Sequence, residues 1–256
     1  MTLELYHAPQ STCSQKVRIA LAEKGLDWIE RRVNLAKNEQ LRPEYLALNP
    51  NGVVPTLVHD GKVVIDSSVI LEYLDEVFPE APLSPADPVR RAQMRAWMRF
   101  FEEVATAAIR VPSFHMALAN RFNELDESQF RATEADVRPV RKNFYRRMGP
   151  RGFSEADVAA ALDELKRTVE RMEKALEREG GPWLLGNDYT LADIVVTPSI
   201  DRMNDLGLSA IWGKLPRVSA WYARMQARPA FRKAYFPGSR LSEFMTLKPL
   251  HVPVPA

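Results

Sequence analysis

The chain has 256 residues, 46% hydrophobic and 27% charged, a length and composition that support one or two globular domains with a full core. Its 35 Lys+Arg against 33 Asp+Glu give a net charge of +2, which leaves no overall field for nucleic acid or an anionic membrane. The single cysteine excludes an internal disulfide framework or a multi-cysteine metal site and suits a reducing compartment, and the four separated histidines offer no metal-ligand spacing.

Thr2–Tyr6 alternates at period 2 and reads as a strand, so a cleaved leader is not expected. Ser14–Lys24 reads as a helix with Val17, Ala20 and Leu21 on one face and Gly25 as its stop, followed by a second strand over Trp28–Val33. Strand, helix and strand in that order form a βαβ unit and hence a parallel pair. Gln40–Leu48 is a short helix or turn. Thr56–Val58 and Lys62–Ile65 flank Asp60-Gly61, the signature of an antiparallel hairpin. A helix over Ser68–Val77 completes a βαβ-ββα unit.

Residues 79–88 (PEAPLSPADP) hold four prolines and form the expected linker between residues 1–80 and 88–256. Beyond it no strand is expected. Val89–Arg110 and Glu155–Glu179 read as long amphipathic helices. Thr190 and Asp193 are spaced as a capping box, with Tyr189 and Ile194 as its hydrophobic staple. Leu215–Ala227 is the last expected helix, stopped at Arg228-Pro229. No apolar run reaches the roughly 20 residues of a membrane helix. The fold class is therefore α/β plus all-α, and the expected location is the cytoplasm.

Chemistry is expected first at the loop His7–Ser14, which runs into a helix N-terminus. Free amides and the helix dipole there favour an anion, and a hydroxyl or thiol is placed to stabilise a bound thiolate or to become one. Ser11 or Ser14 could equally do no more than cap the helix. Val54-Pro55 precedes a strand, where a cis-proline would offer an extended amide and carbonyl, and Asp66-Ser67 opens the next helix. Those three loops would converge at one sheet end and suit a short peptide with a free amino-acid head and a thiol.

These residues resemble a known family. STCSQKVRIALAEKG, LALNPNGVVPTL, VVIDSSVILEYLDEVFP, GNDYTLADI and LPRVSAWYARMQARPAF, in that order across nearly the whole chain, are similar to the cytosolic glutathione transferases. The resemblance implies a thioredoxin-like glutathione-binding domain over 1–80 and an all-helical substrate domain over 88–256. It implies glutathione as co-substrate, no metal, a homodimer, and transfer to a hydrophobic, aromatic small-molecule electrophile, with detoxification as the setting. It places Ser11 as the thiol-activating hydroxyl, with Ser14 as a rival. Val54 would pair its backbone with the cysteinyl moiety beside cis-Pro55, Asp66 and Ser67 would hold the γ-glutamyl group, and Gln40 the glycyl end. Val53 departs from the Lys or Gln of many relatives, which shifts the glycyl carboxylate toward Gln40 and a nearby cation.

A redox C-x-x-C is replaced by serines at both positions, so Cys13, lying between them, is expected to be packed or idle. Residues 138–151 carry six basic residues and no acid, and form part of an insertion resembling the lignin β-etherase branch. That segment is either a solvated surface or a lip over the substrate cleft that takes anionic or phenolic compounds. Trp97, Met98, Phe101, Val104 and Ala108 form a stripe that is core or, in part, a pocket wall with Phe114 and Tyr145, while His115 is expected to be structural. Alternatives to plain conjugation are glutathione-dependent β-aryl ether cleavage, cis–trans isomerisation (the active loop of that class reads Ser-Ser-Cys-Ser) and a non-catalytic binding module.

Overall fold

A computed structural model describes residues 1–255. Strands β1 (Leu3–His7), β2 (Ile29–Arg32), β3 (Thr56–His59) and β4 (Lys62–Ile65) form one sheet in the order β2-β1-β3-β4. β1 pairs parallel with β2, while β1–β3 and β3–β4 are antiparallel, as the crossover helix and the Asp60-Gly61 turn require. The register sets Tyr6 opposite both Arg31 and Thr56, so β1 is, with β3, an inner strand. Helices α1 (Thr12–Glu23), α2 (Pro43–Leu48) and α3 (Ser67–Val77) accompany the sheet in the thioredoxin-like βαβ-ββα order.

Among the described residues the α-helices after α3 are α4 (Pro88–Phe100), α5 (Thr106–Ser113), α6 (Glu127–Phe130), α7 (Lys142–Met148), α8 (Glu155–Glu179), α9 (Leu191–Asp205), α10 (Pro216–Ala227) and α11 (Pro229–Ala234), and no further strand is formed. The single helix expected over Val89–Arg110 is broken up. A π-helical turn over Phe101–Ala105 joins α4 to α5, and a second over Phe114–Leu118 follows Pro112, whose ring removes a backbone donor.

α1 is buried from Ser14 to Leu21 because it lies among α3, α9 and α11 as well as the sheet. Its charged residues therefore need internal partners. Lys16 Nζ donates to Glu102 and to Thr106 Oγ1 (3.1 Å), and Ser68 Oγ donates to the same Glu102 (2.8 Å). The cation on α1 thus ties α3 to the α4–α5 helix. Arg18 donates to the Ala234 carbonyl (2.9 Å), Gln10 to that of Gly238 (2.6 Å) and Gln15 to that of Ser239 (3.0 Å). The chain beyond α11 is thereby fastened to α1 and the loop before it. Among the described residues no helix is long and apolar enough to cross a membrane.

Candidate active site

A cavity of about 600 Å³ opens where the β1–α1 loop meets the helical part. Ser11 is in its wall and is the N-cap of α1, its Oγ accepting from the Ser14 amide (3.3 Å). An N-cap hydroxyl that accepts from the helix still has its own O–H to give. Ser14 is fully buried, its Oγ has no partner among the described residues, and it is not part of the wall. Cys13, expected to be packed or idle, is instead half-exposed and faces the cavity.

Val53, Val54 and Gln40 line the same cavity. The Val54–Pro55 peptide is cis. The Val53 carbonyl is held by Tyr45 Oη (2.7 Å) and Asn49 Nδ2 (2.9 Å), which fixes the strand entry from behind. Gln40 is 6% exposed; its Nε2 reaches Asn38 (3.4 Å), and its Oε1 has no partner among the described residues. Arg138 Nη2 donates to the same Asn38 (3.1 Å), which places a cation beside this end of the wall.

Pro55, Asp66 and Ser67 lie outside the cavity wall. Asp66 caps α3, its Oδ1 accepting from the Ser68 (2.9 Å) and Val69 (3.2 Å) amides, and its φ of +72° is a conformation that L residues rarely adopt. Ser67 is buried.

Of the four substrate-site candidates, Phe114 and Tyr145 line the cavity and Trp97 and Phe101 do not. Phe101 is in the core at 0% exposure, and Trp97 stacks on it (5.1 Å) under the Arg171 guanidinium (4.8 Å). The reason is phase: the π turn over Phe101–Ala105 resets the helix between Phe101 and Phe114, and the two rings face different sides. His115 is also absent from the wall.

The basic segment 138–151 divides. Arg146 and Lys142 pair with Asp136 (2.7 and 3.8 Å) and Arg147 with Asp157 (2.8 Å), as on a solvated face. Arg138 and Arg141 turn into the cavity. Sequence reasoning assigned no role to Arg110 or to Phe236–Met245, several of whose residues also line it. Arg110 marked only a helix end, and the stretch after Ala234 has no period to read.

A profile for the glutathione S-transferase N-terminal domain matches residues 10–77, and one for the C-terminal domain matches residues 132–229. The chain belongs to the glutathione S-transferase family. It is 31% identical to Protein LigF of Sphingobium sp. strain SYK-6 over 92% of this chain and 93% of that protein. The crystal structure of that protein, described as a beta-etherase, superposes with a TM-score of 0.79 over 92% of this chain and 99% of the other. The maleylacetoacetate isomerase of Pseudomonas aeruginosa is 32% identical over 91% and 95%. Glutathione S-transferase 1 of Dianthus caryophyllus is 34% identical over 77% and 76%. The thioredoxin-like sheet and the helical transferase domain are therefore what the sequence led one to expect, and the enzyme reading displaces the non-catalytic one.

Proposed function

We propose that this glutathione transferase uses Ser11 to hold the thiolate of glutathione for attack on an aromatic electrophile in the 600 Å³ cavity. The observation that carries this is the position of Ser11, capping α1 in the cavity wall with a hydroxyl hydrogen to spare, while Ser14 is buried behind it. The Ser11 O–H and the α1 amides stabilise negative charge on sulfur, so the thiol proton passes to solvent near neutral pH. The sulfur pair then forms a C–S bond as the leaving group departs with its own pair, with no net oxidation or reduction. In this reading Val54 pairs with the cysteinyl backbone beside Pro55, Asp66 and Ser67 receive the γ-glutamyl group, and Gln40, with Arg138 close by, receives the glycyl end. We place the boundary between the two domains within 79–88, and assign the enzyme to the cytoplasm as a homodimer. The exposed Val63 and Val69 give a partner apolar surface, and sedimentation velocity checks the assembly.

Ser11→Ala should raise the pKa of bound glutathione by about one unit or more, each unit being about 1.4 kcal/mol, and lower kcat/KM at least about tenfold. Ser14→Ala should leave both unchanged. Thiolate absorbance of the complex reads the first quantity, and an unmoved thiol pKa in Ser11→Ala removes Ser11 from the role.

Similarity to the beta-etherase over 92% of this chain and 93% of that protein favours a second reading, β-aryl ether cleavage. The thiolate would then displace an aryloxide, the C–O bond breaking as C–S forms and the aryloxide leaving as the phenol after protonation. The isomerase relative keeps cis–trans isomerisation as a third. Phenol release from a β-aryl ether, conjugation of a haloarene and isomerisation of a cis-enone, measured side by side, separate the three.

A further inference from the structure

Among the described residues, six arginines stand in the cavity wall and no Asp or Glu does. Four have partners. Arg32 pairs with Glu30 (2.8 Å), Arg138 with Glu134 (2.7 Å) and Arg202 with Asp205 (3.4 Å), while Arg121 donates to the Ala36 carbonyl (2.7 Å). The guanidinium groups of Arg110 and Arg141 have no hydrogen bond or ion pair among the described residues. The Arg110 guanidinium lies over the Phe144 ring (5.7 Å to the centroid).

Burial and the repulsion of Arg141 push Arg110 down to about 10, so it is still charged at neutral pH. The nearby acid that acts on it, Glu102, is already paired with Lys16. A guanidinium held half out of water without a counter-charge is unfavourable, and a second one within repelling distance adds to that. A planar carboxylate between them relieves both, through the bidentate geometry that guanidinium offers. An apolar wall adjoins the pair: Phe114 meets Phe144 edge-on (5.0 Å) and Tyr145 (5.7 Å). Cys13 stands in the same wall, so the pair borders the loop that carries Ser11.

We propose that Arg110 and Arg141 are a carboxylate subsite, and that the electrophile is an aromatic compound bearing a carboxylate, its ring on the Phe114–Phe144–Tyr145 wall. This rests on the transferase reading, in which the α3 start and Gln40 take the carboxylates of glutathione itself and leave the arginine pair to the second substrate.

Calorimetric titration of the glutathione-loaded enzyme with naphthoate and with the uncharged naphthamide tests it without requiring turnover. Naphthoate should bind the wild type more tightly than naphthamide. Arg110→Gln and Arg141→Gln should each weaken naphthoate by about ten- to a hundredfold, the size of one lost charge-assisted bond. Both should leave naphthamide and glutathione affinities unchanged, with melting temperatures equal to or above wild type because a repulsion has gone. Equal binding of the two probes to the wild type overturns the subsite, as does an equal loss of both in the variants. Weakened glutathione with unmoved naphthoate would hand the pair to the tripeptide and also overturns it. If glutathione does not bind at all, the transferase reading fails on its own, and the naphthoate comparison on the free protein still decides the subsite.

Discussion

His7, at the end of β1, is fully buried between a cation and an anion. Arg18 donates to its Nδ1 (3.1 Å), so the ring proton sits on Nε2 and is given to Glu30 (2.9 Å). Burial, with Arg18 next, lowers the imidazole from 6.5 to about 4. The unfolded chain therefore takes up a proton between about pH 6.5 and pH 4 that the folded chain refuses. The stability from the neutral ring is complete above about 6.5 and is lost as pH falls through about 4. Urea unfolding across that window should show a loss of up to about 3 kcal/mol, and His7→Gln should flatten this part of the profile. At this scale the sequence was partly legible. Ser11 was singled out because a loop before a helix has chemical meaning in one dimension, and Gln40 only through the family resemblance; both line the cavity. That Ser14 is buried while Cys13 is half-exposed depends on which side of α1 faces α9 and α11, and no local pattern records that.

The start of α9 shows an element whose chemistry was readable in advance. Thr190 and Asp193 form the expected capping box, with Asp193 Oδ2 accepting from the Thr190 amide (3.1 Å). What the spacing could not show is the other oxygen, which accepts from the Leu184 amide (3.1 Å) and Trp221 Nε1 (2.8 Å). One carboxylate joins the start of α9 to the turn before it and to α10. Asp193→Ala would leave the Thr190 and Leu184 amides and Trp221 Nε1 unmatched and should cost about 3 to 5 kcal/mol, well beyond the roughly 1 kcal/mol of an ordinary cap. Urea denaturation at neutral pH reads the difference, and a loss near 1 kcal/mol would mean that the turn and α10 find other acceptors. The α4–α5 helix shows the opposite. Its apolar stripe was read as core or, in part, pocket wall, and Trp97, Met98, Phe101 and Ala108 are buried, but the π turns that divide it leave no periodic trace. Trp97 and Phe101 were therefore grouped with Phe114, although they face a different side.

Across the whole molecule, the sheet-bearing and helical parts meet at a charge rather than only at apolar surface. Lys16 is fully buried on α1, and its counter-charge, Glu102, lies 86 residues away on the helical side. Glu102→Ala would leave an ammonium enclosed without an anion and should destabilise the protein by about 3 kcal/mol or more. Thermal unfolding measures this, and Lys16→Met combined with Glu102→Ala should recover much of the loss, since the isolated charge is then gone. A variant as stable as wild type would show that water reaches Lys16. Neither partner stood out in the sequence, because an ordinary helical Lys and an ordinary helical Glu look like surface until the packing is known.

The hold of the C-terminal segment on the site has a consequence for how this enzyme changes over generations. Gln10, Gln15 and Arg18 grip the carbonyls of Gly238, Ser239 and Ala234, groups that every residue type possesses. Side chains at Phe236, Leu241, Phe244 and Met245, meanwhile, shape the cavity. Mutation can therefore exchange what the substrate touches without releasing what anchors the loop of Ser11. Selection for a new electrophile has a route along this segment that leaves sulfur activation intact, so the two properties can be inherited and altered separately.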